Sequence, residues 1–267
     1  MLDADVIDAF ARDGAVVSRG LLGPEATALV ERAVDEALLA PTERAIVASG
    51  AGDPGRFVED FRTRDRLPHV DRLLAASDLG ATAAALTRST TVRLHHDHVL
   101  VKEPGTHQRT PWHQDQPYYD VAGTQVVSAW IPVDPVPANT CLQVVAGSHL
   151  GPWCVPRTFL DHEARWFPEG QLAELPLLDG EPDRHHILSW ELVPGDVVWF
   201  HFLAIHGAPG VAGTDRRRVL SLRFVGDDAR WAPRPWATSP TFPELPGELE
   251  PGAPFDHPLF PVVWPRG

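Results

Sequence analysis

Residues 91–132 read TVRLHHDHVLVKEPGTHQRTPWHQDQPYYDVAGTQVVSAWIP, and this stretch decides the fold class. Two runs rich in β-branched and aromatic residues, 91–101 and 126–132, flank a segment broken by Pro104-Gly105, Pro111, Pro117 and Gly123. Runs of that composition between such breakers read as strands. Similar short runs recur at 142–145, 187–193, 197–204 and 218–225. Their spacing predicts an all-β sandwich or barrel in place of alternating βαβ units.

Upstream the pattern is helical. Val6, Ile7 and Phe10 share a face, with Asp3 placed to cap and Gly14 to stop a helix over 3–12. Ala15–Val17 reads as a short strand. Gly23-Pro24-Glu25 opens a second helix striped by Leu29, Val30, Ala33, Val34 and Leu38. Residues 41–65 have turn chemistry and weak periodicity and read as a mobile loop. A further helix is predicted over 68–87. The tail from 230 alternates Pro with Trp and Phe, so it is expected to pack on the body without regular structure. One domain over 1–267 is expected: helical to about residue 90, β from about 91 to 226, and a Pro/Trp-rich tail over 230–267.

Composition narrows the function. The chain of 267 residues is 43% hydrophobic and 22% charged, enough for a sizeable core. A net charge of −13 without a basic patch argues against nucleic-acid partners. The two cysteines, Cys141 and Cys154, cannot build a disulfide framework. No apolar run reaches membrane-spanning length and no basic-then-apolar leader opens the chain, so a soluble cytoplasmic protein without a membrane partner is expected. Of the 23 basic residues only Lys102 is a lysine, and the 13 histidines raise the prospect of metal chemistry.

The segment Pro111-Trp112-His113-Gln114-Asp115-Gln116-Pro117 sets a His and an Asp two apart. In an extended segment both side chains point the same way and reach one ion. Two histidines and one carboxylate with open positions is the facial triad of non-haem Fe(II) oxygenases. His206, at the end of the run 196–205, is the candidate third ligand. Arg217, eleven residues on, suits a bidentate clamp on a dicarboxylate. A rival pair, His95 and Asp97, has the same spacing; the flanking turn and the downstream His and Arg favour His113 and Asp115.

Several ordered motifs resemble the phytanoyl-CoA dioxygenase family of Fe(II)/2-oxoglutarate oxygenases: Val101-Lys102-Glu103-Pro104-Gly105, Thr110 to Gln116, Ala129-Trp130-Ile131-Pro132, Gly147-Ser148-His149, and Pro194-Gly195-Asp196 through His206-Gly207. The opening DAFARDGAVVSRGLLGPE is also similar. The resemblance implies a double-stranded β-helix (jelly roll) with flanking N-terminal helices. It implies His113, Asp115 and His206 as iron ligands and Arg217 as partner of the distal 2-oxoglutarate carboxylate, with Trp130 and Lys102 lining the co-substrate pocket. Asp97 and His98 then become supporting or core groups. The family's Asn-Gly turn reads Asn139-Thr140 here, and its Pro-Gly-Ser-His reads Ala146-Gly147-Ser148-His149.

The implied cofactors are Fe(II), with 2-oxoglutarate and O2 as co-substrates, and the implied reaction is hydroxylation of a small-molecule C–H bond. Asp115 argues against halogenation, because related halogenases carry Gly or Ala there. Gln116, Tyr118, Tyr119, Trp153, Phe202 and Trp231 are candidate pocket linings. Arg223 either meets an anionic substrate or pairs with an internal acid. Two other classes fit the same fold: a zinc-dependent hydrolase or isomerase using the same triad, and a non-catalytic binding module.

Overall fold

The computed structural model describes residues 2–50, 52–156, 172–176, 178, 185–211 and 213–266. Helix α1 (Ala4–Asp13) starts where the Asp3 carboxylate accepts the Asp5 N–H at 3.2 Å. It stops at Gly14, whose φ of 76° turns its N–H onto the Phe10 carbonyl at 2.8 Å. Then come β1 (Ala15–Ser18), α2 (Pro24–Leu39), β2 (Ile46–Val47) and β3 (Phe57–Phe61). Helices α3 (His69–Ala76) and α4 (Leu79–Thr87) precede the longest strand, β4 (Val92–Lys102). After it follow β5 (Thr110–His113), β6 (Val121–Ala122), β7 (Val126–Pro132), β8 (Gln143–Val145) and β9 (Ile187–Leu188). The last elements are β10 (Val197–Phe200), β11 (His206–Ala208), β12 (Arg217–Val225), β13 (Arg230–Trp231) and β14 (Val262–Trp264).

The fold is mainly β. The larger antiparallel sheet has the order β1-β10-β7-β12-β4-β3-β2, with β14 pairing the start of β4. The smaller has the order β5-β11-β8-β9. The two sheets bound one cavity, the jelly-roll arrangement that the family resemblance implies and a form of the sandwich expected from the strand spacing. Period-two alternation gives the large sheet two chemically different faces. Val99, Val101, Ala129, Trp199, Leu220, Leu222 and Phe224 point outward and are buried under Val30, Val34, Leu73 and Leu79 of the helices. The intervening residues point into the cavity.

Three expectations from sequence need correction. Residues 41–65 (position 51 lies outside the described residues) are not a plain loop: β3 pairs β4 from Phe57↔Lys102 to Phe61↔His98. Its periodicity was masked by two buried acids, Glu59 and Asp60. Buried carboxylates are rare, and a pattern reading scores them as surface. Asp60 is retained because Thr42 donates to it from both its N–H, at 2.8 Å, and its hydroxyl.

The predicted helix over 68–87 is two helices. Ser77 adopts an extended backbone and its hydroxyl donates to the Leu73 carbonyl at 2.6 Å, ending α3. The tail does pack on the body, through Trp231, Phe242, Leu245, Phe255 and Phe260, but it also contributes strands β13 and β14.

Candidate metal centre and its pocket

His113 ends β5 and His206 begins β11, and the two are direct cross-strand partners. Asp115 arrives differently from the sequence expectation. Its backbone is helical (φ −71°, ψ −44°), at the entry to a 3-10 turn over Gln116–Tyr118. The Phe202 carbonyl holds this turn by accepting the N–H groups of Asp115 at 2.8 Å and Gln116 at 3.0 Å. Gln114 pins the other side: its amide donates to the Leu203 carbonyl at 2.9 Å and its oxygen accepts the Cys154 N–H at 2.7 Å.

The three side chains meet at one point. Nδ1 of His113 lies 2.8 Å from the Pro111 carbonyl and Nδ1 of His206 lies 2.9 Å from the Ala204 carbonyl. A carbonyl only accepts, so each Nδ1 carries the proton and each Nε2 keeps its lone pair. Both Nε2 atoms face Oδ1 of Asp115, at 3.6 and 3.7 Å. Cis ligands about 2.1 Å from a shared ion stand roughly 3 Å apart, so small movements complete such a site. Among the described residues this is the single cluster of three metal-capable side chains.

Asp115 is oriented by groups behind it. Its Oδ2 accepts the Ser128 hydroxyl at 3.0 Å and faces Arg223 Nη2 at 3.3 Å. One carboxylate oxygen is thereby occupied, and the other is left to the histidines. Burial pushes the Asp115 carboxyl up, but Arg223, then His206 and His113, more than reverse this and hold it well below the usual range. Burial, then His113, pushes the His206 imidazole down to about 3. An anionic carboxylate beside a neutral imidazole is the protonation state that a metal ion needs.

The cavity beside this cluster has a volume of about 430 Å³. The inner face of the large sheet forms its floor in registered rows. Phe57, Lys102 and Arg217 make one row. Glu59, Leu100 and Val219 make the next, then Phe61, His98, Ser221 and Trp130, then His96, Arg223 and Ser128.

The first of these rows is cationic. Lys102 Nζ donates to the carbonyls of Ala208 (3.3 Å) and Pro209 (3.2 Å) and lies 4.5 Å over the Phe57 ring. Arg217 donates to the carbonyls of Thr140 and, at 3.1 Å, Pro209. No carboxylate of the described residues forms an ion pair with either. Burial, then Arg217, pushes the Lys102 ammonium well down, and burial lowers Arg217 to about 10. Two buried basic groups thus stand side by side with carbonyls and a ring as partners, an arrangement that an anion would stabilise.

A family model described as phytanoyl-CoA dioxygenase (PhyH) matches residues 10–219. The chain belongs to the phytanoyl-CoA dioxygenase family. A probable phytanoyl-CoA dioxygenase of Caenorhabditis elegans is 32% identical over 127 residues, covering 45% of this chain and 37% of that protein. The peroxisomal phytanoyl-CoA dioxygenase of Rattus norvegicus is 24% identical over 217 residues, covering 78% of this chain and 57% of that one. The chain thus spans 37% and 57% of the length of these relatives.

Among solved structures, the epimerase SnoN with Fe3+, alpha ketoglutarate and nogalamycin RO superposes at a TM-score of 0.74. It is 21% identical and covers 97% of both chains. EctD from S. alaskensis with 2-oxoglutarate and 5-hydroxyectoine gives 0.66 at 21% identity, over 91% of this chain and 82% of that one. At that identity these neighbours show the fold. No helix among the described residues is long and apolar enough to cross a membrane.

Placed against the family's expected site, the sequence candidates divide. His113, Asp115, His206, Arg217, Trp130, Lys102, Tyr118, Tyr119 and Arg223 all line the one cavity. Arg223 pairs with an internal acid, Asp115, and its Nε donates to the Tyr119 hydroxyl at 3.1 Å. Arg218 faces the opposite way, to Asp134 and Asp35, as strand alternation requires.

Four candidate linings lie elsewhere. The Gln116 amide donates to the Val121 and Gly123 carbonyls, holding its own loop. Phe202 and Trp231 are packed in the tail's apolar cluster. Trp153 lies under Arg234, 4.8 Å from its guanidinium carbon. Of the rival cluster, Asp97 accepts the backbone N–H groups of Thr63 (2.8 Å) and Arg64 (3.1 Å) and only shapes the turn after β3. Ser128, Glu59 and Phe61 were missed. Ser128 was findable, as a polar residue two before Trp130 on the same strand face.

Proposed function

We propose that this chain is a non-haem Fe(II)- and 2-oxoglutarate-dependent oxygenase that hydroxylates a C–H bond of a small-molecule metabolite. The observation that carries this reading is the pairing, in one cavity, of a His-Asp-His cluster with a buried Lys102–Arg217 row. A hydrolytic metal site needs the first feature and has no use for the second. His113, Asp115 and His206 would hold the ion on one face and leave the other open. When bound, Fe(II) and 2-oxoglutarate supply the oxidising chemistry: O2 and 2-oxoglutarate give succinate, CO2 and one oxygen atom inserted into the substrate.

The chain's own residues do the positioning. Arg217 and Lys102 take the distal carboxylate of the co-substrate. Arg223 and Ser128 keep Asp115 turned with one oxygen inward. The aromatic walls (Phe57, Trp130, Phe200 and Tyr118) exclude water from the reacting centre.

Anaerobic titration of the protein with Fe(II) and 2-oxoglutarate should produce a visible charge-transfer band, and admission of air should yield succinate. Arg217→Ala should keep metal binding while weakening 2-oxoglutarate by about 2–5 kcal/mol, measured by calorimetry. Absence of both the band and 2-oxoglutarate binding in the unmodified protein would sink the reading.

A further inference from the structure

Glu59 is the one carboxylate besides Asp115 among the described residues that line the cavity. It is 1% exposed, and it stands on β3 between the cationic row and the row of Phe61, His98 and Trp130. Its Oε1 lies 3.2 Å from His98 Nε2, an ion-pair contact that forms no well-made hydrogen bond for either atom. His98 is itself held flat by Phe61, stacked at 4.0 Å between ring centroids. A buried carboxylate oxygen without a donor costs several kcal/mol and persists in few places that do not receive a ligand. Asp60, its neighbour in sequence, faces the other way and is fully satisfied by Thr42.

Taking the proposed oxygenase activity as its basis, we infer that Glu59, braced by His98, is the anchor for the substrate, accepting a hydrogen bond from a hydroxyl group on an uncharged, ring-containing and largely apolar molecule. Three observations select that class. The carboxylate needs a donor. The surroundings of the donor site are rings and aliphatic groups: Phe57, Phe61, Leu100, Trp130, Val47 and Tyr118.

The third observation is charge. Lys102, Arg217 and Arg223 face only Glu59 and Asp115 across the cavity, three basic groups against two acidic ones. A divalent ion and a dicarboxylate dianion cancel each other, so the excess is the same in the loaded site. A cationic substrate is therefore opposed, although a lone carboxylate would otherwise attract one. Burial pushes the His98 imidazole below its ordinary value and Glu59 draws it part of the way back, consistent with a neutral brace.

The test uses three fluorescent probes of one shape, 9-anthracenemethanol, 9-methylanthracene and 9-(aminomethyl)anthracene, titrated into the full chain without added metal or 2-oxoglutarate. The alcohol should bind at least about tenfold tighter than either the methyl or the ammonium probe, the difference a charge-assisted hydrogen bond supplies. Glu59→Leu should erase the alcohol's advantage while leaving methyl-probe affinity equal or higher. Glu59→Gln, which keeps the shape and one acceptor, should retain a reduced preference.

Equal binding of alcohol and methyl probes overturns the inference, and so does an alcohol preference that survives in Glu59→Leu. Tightest binding of the ammonium probe overturns the substrate class. The Fe(II)/2-oxoglutarate charge-transfer band, read separately on each variant, should stay intact. Its absence in the unmodified protein strikes at the oxygenase reading and leaves the probe result standing.

Discussion

The two faces of the large sheet are made by the same strands and do opposite things. On β12, Leu220, Leu222 and Phe224 look outward into the helices, and Arg217, Val219, Ser221 and Arg223 look inward. The outward set is apolar and closely packed. The inward set holds buried cations, a hydroxyl and a salt-bridged guanidinium, with Arg223 Nη1 and Ser221 Oγ left without partners. The larger apolar cluster lies on the outer face, and its burial can offset the polar groups left without partners on the inner one. Alternation along one strand thus puts helix packing and cavity chemistry on opposite faces of the sheet, one residue apart in sequence.

The largest effect that tests this division is at Asp115. Asp115→Ala should abolish metal binding, read as loss of the Fe(II)/2-oxoglutarate band. It should also destabilise the fold by about 3–5 kcal/mol, because Arg223 would remain buried without its partner. A double variant, Asp115→Ala with Arg223→Met, should recover much of that stability and none of the metal binding. Recovery of neither would show that the inner face is structural after all.

Leu222→Ala, on the outer face, is the converse. Removing a fully buried side chain should cost about 2–5 kcal/mol in urea unfolding. The dissociation constants of Fe(II) and 2-oxoglutarate, measured well below the unfolding transition, should stay unchanged. A shifted metal affinity in this variant would break the separation between the faces.

The sequence made the candidate ligand residues legible because each lies beside a strong local signal: the Pro-flanked His113–Asp115 pair, the turn before β10, and the Arg217 strand. Strand and helix positions carrying apolar periodicity were equally legible. What was hidden shares a physical cause. Glu59, Asp60 and Ser128 are polar residues buried on strands, and the groups they face, His98, Thr42 and Asp115, lie outside any local window. Nothing within a window around residue 59 says that Lys102 and His98 lie beside it. Aromatic residues failed in the other direction. Phe202 and Trp231 are as apolar as Trp130, but Phe202 sits in the turn after β10 and Trp231 in the separate β13-β6 pair, and only the tertiary arrangement decides which of them faces the cavity.

Ser128→Ala is a smaller and sharper probe. The hydroxyl holds Oδ2 of Asp115 without touching the metal position, so its loss frees the carboxylate to rotate. Metal affinity should fall about 10–100-fold, the usual cost of losing a group that orients a ligand. Thermal stability should change little, since Arg223 still pairs with Oδ2. Ser128→Thr, which keeps the hydroxyl, should restore most of the affinity; failure of that rescue would assign the loss to packing instead.

The smallest effect concerns the lone lysine. In the empty cavity burial and Arg217 hold the Lys102 ammonium well below its ordinary value, opposed by the more distant Glu59 and Asp53 and helped by Arg109. A bound dicarboxylate stabilises the charged form and raises that value again. Binding therefore takes up a proton at any pH between the two values, and 2-oxoglutarate affinity falls as pH rises through the value of the empty state. The limiting slope is about tenfold per pH unit, one proton. Calorimetry in buffers of different ionisation enthalpy should detect the uptake. Lys102→Arg should flatten this slope, because a guanidinium keeps its proton, and should weaken binding at neutral pH, because the broader head no longer fits between the Ala208 and Pro209 carbonyls. A pH slope that persists in Lys102→Arg would move the titrating group elsewhere in the row.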